Sequence, residues 1–219
     1  MKPEILHDDA DIAVVVKPAG VPVHPSPGHE KGSLTEALVR LFPEMKAVGS
    51  VERPGVVHRL DVETSGVMIF AKTQRAYLSL RRAFESHQGV RKTYLAVVHG
   101  SPKEKKGTLD TLLGKRADKK RMKVVEPGGD GQRAVTHWEV LGRHNGVALV
   151  EFTIETGRTH QIRVHAAHLG CPILGDGLYG IADRAPRLLL HAVQLEFAHP
   201  VTGERLRFAA EPPAEIVYA

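Results

Sequence analysis

One stretch of the chain stands out chemically: Val57-His58-Arg59-Leu60-Asp61-Val62-Glu63-Thr64-Ser65-Gly66. Asp61 follows His58 and Arg59 in a polar segment between the Pro54-Gly55 turn and an apolar run. A carboxylate poised between cations stays ionised near neutrality and can act as a nucleophile or base. The same residues also fit an Asx-type turn, with Asp61 capping the backbone around Thr64-Ser65-Gly66 and Arg59 at the surface. Ser65, His58 and Asp61 are poor candidates for a hydrolase triad, because residues three and four apart in one loop seldom converge in that geometry.

A second segment, Thr156-Gly157-Arg158-Thr159-His160-Gln161-Ile162-Arg163-Val164-His165, sets cations at helical spacing. On a helix, His160 and Arg163 share a face away from the apolar seam of Ile162, Ala166 and Leu169. That face is either the solvated side of an amphipathic helix or a cation pair aimed at an acid or a phosphate. His160, His165 and His168 place at most two imidazoles on one face with no acidic ligand beside them, so no metal is expected there.

Charge supplies a third signal. The chain of 219 residues carries a net +5, but Ser101–Val125 alone holds nine Lys/Arg against three acids. That segment is +6 and the remainder is −1. It reads either as a solvated lysine-rich loop or as a phosphate contact that releases counterions from a nucleic acid.

The elements that must position these residues are local and well signalled. Ile12–Lys17 reads as a buried strand ended by the Lys17-Pro18-Ala19-Gly20 turn. Ser33 and Glu36 form a capping box for a helix over 33–42. Val67–Ala71 is a short buried strand, and Thr73 caps a helix to about Gln88 with Gly89 as its stop. Lys92–His99 is extended. Ala134–Leu141 and Val147–Glu155 are strands joined by Asn145-Gly146, a strong hairpin signal. A helix over 159–169 closes at Gly170, and strands return at 187–197 and 206–209 around Thr202-Gly203. Strands outnumber helices without regular βα alternation, which predicts an α+β fold with a mainly antiparallel sheet.

Several classes are excluded or disfavoured. A single cysteine, Cys171, rules out a disulfide framework and a cysteine-based zinc site. The longest apolar runs are five residues, far short of a membrane span, and the acidic N-terminus does not read as a signal peptide. No G-x-G-x-x-G after a strand, phosphate-cradling G-x-x-x-x-G-K-[ST], H-E-x-x-H or G-x-S-x-G occurs. A soluble, cytoplasmic globular protein is expected.

Taken together, the motifs resemble a known family. His58-Arg59-Leu60-Asp61-x-x-Thr64-Ser65-Gly66 resembles the catalytic-loop signature of the RluA family of RNA pseudouridine synthases, and Gly157–His165 resembles that family's later motif. Lys17-Pro18-Ala19-Gly20 with Val23-His24-Pro25, Lys92-Thr93-Tyr94 with Gly100, Pro172-Ile173-Leu174-Gly175-Asp176-x-x-Tyr179-Gly180 and Arg187–Ala192 follow in order. The resemblance implies one catalytic domain over 1–219, with a bent, mainly antiparallel mixed sheet flanked by helices; many members carry an N-terminal accessory RNA-binding module, but Lys17-Pro18 comes too early for one and none is expected here. It implies isomerisation of uridine in structured ribosomal or transfer RNA with no cofactor and no metal, and a monomer is expected.

By the same resemblance Asp61 is the catalytic aspartate, Tyr94 the tyrosine that packs on the uracil, and Arg163 the arginine that pairs with the aspartate. Arg59 is expected to fill the space left by a flipped nucleotide. His58, Arg158 and His160, with Lys119, Lys120 and Arg121 of the basic segment, are the expected RNA contacts.

Overall fold

The computed structural model describes residues 2–118 and 121–217. In chain order the elements are β1 (Glu4–Asp8), β2 (Ile12–Lys17), α1 (Leu34–Leu41), a 3-10 turn (Pro43–Ala47), the short strands β3 (Gly49–Ser50) and β4 (Arg53–Pro54), β5 (Ser65–Ala71) and α2 (Gln74–Ser86). They continue with β6 (Arg91–His99), β7 (Lys106–Lys115), β8 (Met122–Val125), β9 (Gln132–His144), β10 (Val147–Ile154), α3 (Gln161–His168), β11 (Leu190–Ala198), β12 (Arg205–Ala209) and a short α4 (Ala214–Val217). The expected α+β class with a mainly antiparallel sheet is the observed one. Two compact units divide the chain, Met1–Arg91 with Ala192–Glu211 and Lys92–His191 with Pro212–Ala219.

In the first unit β1, β2, β5 and β11 lie in that order, with β12 beside β11. Every residue of β5 is buried, as its unbroken apolar run requires of an interior strand. The β2–β5 register sets Lys17 opposite Gly66. Gly66 has φ 125°, and a Cβ there would lie 2.3 Å from the Ala192 carbonyl oxygen, so no other residue fits. The capping box of α1 is complete: Glu36 N–H donates to Ser33 Oγ at 3.2 Å and Ser33 N–H to the Glu36 carboxylate at 2.9 Å. Helix α2 starts after Thr73 as expected but stops at Ser86, because His87 itself takes the left-handed conformation (φ 59°) that Gly89 was expected to supply.

In the second unit the strand order is β6-β10-β9-β7-β8. Asn145 (φ 45°) and Gly146 (φ 80°) make the two-residue turn between β9 and β10, matching the hairpin signal. Strand β9 runs past the expected Ala134–Leu141 because both of its edges are paired. The basic segment is no plain loop: it contributes β7 and β8, paired from Leu112 opposite Val125 to Lys115 opposite Met122. Leu113 anchors this hairpin in a cluster with Ala134 and Val164, against which Met122 and Val124 pack.

Candidate active site

The loop that carries Asp61 is built from backbone hydrogen bonds. Thr64 N–H donates to the Asp61 carbonyl at 3.2 Å, closing a turn over Val62 and Glu63. The Val62 carbonyl at the centre of that turn accepts from Gly20 N–H at 2.8 Å and from Lys17 Nζ at 2.9 Å. Lys17 Nζ also donates to the carbonyls of Pro18 at 2.9 Å and Val21 at 2.8 Å. This lysine is wholly buried, at 0% exposure, and three carbonyls match the three N–H donors of its ammonium. Such dipoles offset much of the cost of desolvating a charge. Lys17 thereby staples its own turn to the turn at Asp61, which is half-buried.

His58 braces the same loop from the other side. Its ring stacks on Phe84 of α2 with centroids 4.6 Å apart, and its Nε2 accepts from Ile69 N–H of β5 at 3.2 Å. A backbone donor aimed at Nε2 means that this nitrogen carries no proton in this arrangement. Arg59, one residue on, is exposed.

In the second unit, α3 buries its polar side chains, His168 excepted, instead of presenting them to solvent. Gln161, Arg163 and His165 are all buried. Each is satisfied by polar groups of the sheet or the loop that follows. Gln161 Nε2 donates to the Val135 carbonyl and to Thr136 Oγ1, both at 2.9 Å, while its Oε1 accepts from Thr156 Oγ1 at 2.7 Å. His165 has Thr136 Oγ1 2.8 Å from Nδ1 and Thr111 Oγ1 3.0 Å from Nε2, and burial, then the charge of His168, lowers its pKa to about 4.

Arg163 makes a bidentate pair with Asp176: Nε donates to Oδ2 at 2.9 Å and Nη2 to Oδ1 at 2.7 Å. Burial alone would raise the Asp176 carboxyl, but Arg163 and the amides of Leu178 and Tyr179 hold it below its ordinary value. The Arg163 guanidinium also lies 5.4 Å from the Tyr179 ring centroid. Tyr179 Oη accepts from Met122 N–H at 2.8 Å and is 2.9 Å from His160 Nδ1, which links β8 to the start of α3. His160 is the residue before α3 and is itself left-handed (φ 54°), so the helix starts later than the expected 159. Tyr94 is buried on β6, opposite Phe152 of β10.

The family profile described as RNA pseudouridylate synthase matches residues 11–168. The chain belongs to that family. It is 42% identical over 216 residues to an uncharacterized RNA pseudouridine synthase of Synechocystis sp., covering 96% of this chain and 66% of that protein. It is 42% identical over 228 residues to ribosomal large subunit pseudouridine synthase D of Xanthomonas campestris, covering 97% of this chain and 66% of the relative. The chain thus spans about two thirds of the length of these curated relatives. Among solved structures, human RNA pseudouridylate synthase domain containing 4 matches with a TM-score of 0.78 and 31% identity, covering 98% of this chain and 90% of that one.

Within this family member, the expected site residues separate by unit: His58, Arg59 and Asp61 in the first, and Tyr94, Arg158, His160 and Arg163 in the second. Arg121 precedes β8, where its N–H and Nε bond the Asp118 carboxylate at 2.9 and 2.7 Å. Lys119 and Lys120 lie outside the described residues. Two residues that sequence reasoning assigned no role turn out to organise their segments, Lys17 and Asp176. Each stood inside a quoted motif, and a charged residue within an otherwise apolar or glycine-rich run was the available signal. Among the described residues no three of His, Cys, Asp and Glu gather as a metal would need, and no helix is long and apolar enough to cross a membrane.

Proposed function

We propose that this chain isomerises particular uridines in structured ribosomal or transfer RNA to pseudouridine, the whole chain acting as one cytoplasmic, monomeric catalytic domain without cofactor or metal. The observation that carries the reading is the braced turn at Asp61, in a chain that belongs to the pseudouridylate synthase family. Positioning a carboxylate to within a fraction of an ångström is what such a reaction asks of a scaffold.

The reacting carbon is inaccessible inside a stacked helix, so the uridine leaves the stack, at a cost of a few kcal/mol that is least in a loop. Arg59, exposed beside the turn, fills the vacated space. Asp61 promotes cleavage of the C1′–N1 bond, and the freed uracil rotates and rejoins the sugar through C5. The C5 proton is then lost and N1 is protonated, so the net reaction is an isomerisation. Tyr94 packs on the uracil, a role that suits a phenol better than that of a base near neutrality. Arg163, oriented by Asp176, is the cation paired with Asp61. His58, Arg158, His160 and the basic residues Lys119, Lys120 and Arg121 contact the RNA, and the β7–β8 hairpin holds its backbone through phosphates. Release of the uridine C5 hydrogen from labelled bulk ribosomal and transfer RNA tests this reading. Release by the wild-type chain is expected, and no release from either RNA would overturn it.

A further inference from the structure

The proposed reaction leaves one buried amine without a task. Lys92 lies two residues before Tyr94 on β6, opposite Ile154 of β10, and is 7% exposed. Its Nζ reaches the carbonyls of Glu155 at 3.4 Å and Thr156 at 3.5 Å, both longer than a well-formed hydrogen bond. Buried charges are ordinarily paired, yet no carboxylate pairs with Lys92 among the described residues. The charge that acts on it is a second cation, Arg158. Burial first and Arg158 second bring its pKa down to about 8.

The other charged groups of this neighbourhood are already engaged. The Glu155 carboxylate is 2.9 Å from His137 Nε2. Arg158 Nε donates to the Arg133 carbonyl at 3.1 Å, and Arg133 itself pairs with Asp110 at 2.7 Å. The turn that presents the two cations is fixed, since Arg158 N–H donates to Gln161 Oε1 at 3.0 Å and Val135 N–H to Thr156 Oγ1 at 3.0 Å. Gly157, the residue before Arg158, is exposed and without a side chain, at a place where a Cβ would lie 3.8 Å from Lys92 Nζ.

We propose that Lys92 and Arg158 form an anion subsite around the Gly157 backbone, and that its occupant is a backbone phosphate of the RNA. The inference rests on the proposed function for the identity of the polyanion. Two neighbouring cations lacking an acid repel each other until an anion joins them, and a phosphodiester offers two acceptor oxygens to both at once. Its charge-assisted bonds replace the long carbonyl contacts and restore full charge to the amine. The linkage has a definite sign: a phosphate binds the protonated amine, raises its pKa, and loses affinity as pH climbs past the free-protein value.

The test uses the full chain labelled with carbon-13 at lysine and a fluorescent uridine-containing RNA hairpin as probe. The Lys92 Cε signal, identified by its loss in Lys92→Arg, is expected to titrate near 8 alone and about one unit higher with saturating hairpin. Hairpin affinity at fixed salt is expected to fall about fivefold between pH 7 and pH 9 in wild type and to stay level in Lys92→Arg. Arg158→Gln supplies an arm that leaves the buried lysine in place. It should weaken binding at pH 7 several-fold, while raising the Lys92 midpoint in the free protein by removing a like charge.

A wild-type affinity that is level over this range, or a fall that Lys92→Arg shares, overturns the subsite. So does C5-hydrogen release that climbs through pH 8 and vanishes in Lys92→Arg with binding intact, since the amine would then be a base. Failure of the proposed function is separately visible: pH-linked hairpin binding without C5-hydrogen release supports the subsite while removing the isomerase.

Discussion

Lys17 of the first unit and Lys92 of the second are both buried, and they are held in opposite ways. Lys17 donates to three carbonyls at 2.8–2.9 Å and ties two turns together. Lys92 has two carbonyls at 3.4–3.5 Å and a like charge acting on it. The first ammonium is enclosed by dipoles and serves as a structural staple. The second keeps an unmet demand for an anion, which is the mark of a group awaiting a ligand. Burial by itself therefore does not distinguish scaffold from site, whereas the quality of the partners does.

That contrast can be attacked at several points. The strongest blow falls on Arg163, a buried cation that does own a carboxylate. Asp176→Ala should remove the bidentate partner of that buried guanidinium and cost about 3–5 kcal/mol in urea unfolding. A loss under about 1 kcal/mol would mean that buried cations here need no partner, and the comparison would collapse.

His165 meets the same demand by staying neutral. Its pKa is lowered in the folded chain to about 4 by burial, with His168 second, so the unfolded chain binds the extra proton between that value and 6.5. Stability is then complete above about pH 6.5 and falls by roughly 3 kcal/mol as pH drops towards 4. His165→Gln should flatten that part of the stability profile, and an unchanged acid limb would contradict the assignment.

The lysines themselves sharpen the contrast. Lys17→Met should lose about 1.5–3 kcal/mol by leaving its carbonyls without a charged donor, and should speed hydrogen exchange at Gly20 N–H. Lys92→Met, which removes an uncompensated charge, should stay within about 1 kcal/mol of wild type. Equal losses would erase the distinction. The smallest effect is in the basic segment 101–125, where Lys119, Lys120 and Arg121 changed together to Ala should reduce the salt slope of RNA binding by up to about 0.9 log unit per lost phosphate contact. An unaltered slope would remove these three residues from RNA binding.

What was legible in the sequence was what is local. The Ser33–Glu36 box, the Asn145-Gly146 turn and the apolar run of β5 each carry their instruction within a few residues, and each stands where it was expected. Strands β1, β7 and β8 were missed because Lys, Thr, Asp and His alternate with apolar residues too weakly there, and pairing with distant strands decides the matter. The burial of the polar face of α3 was equally hidden, since Thr111 and Thr136, which accept it, lie far back in the chain. Asp61 and Arg163 could be singled out by residue type and motif. The partners that fix them could not: Lys17 reaches Val62 across 45 positions, and Asp176 is specified only by the fold that returns it to Arg163.

The proposed isomerisation of uridine depends on Asp61. It is tested most directly by incubating unmodified ribosomal and transfer RNA with wild type and with Asp61→Asn, digesting to nucleosides and quantifying pseudouridine by chromatography. Pseudouridine is expected from wild type and none above background from the variant, with RNA binding retained. Undiminished pseudouridine from Asp61→Asn would contradict it.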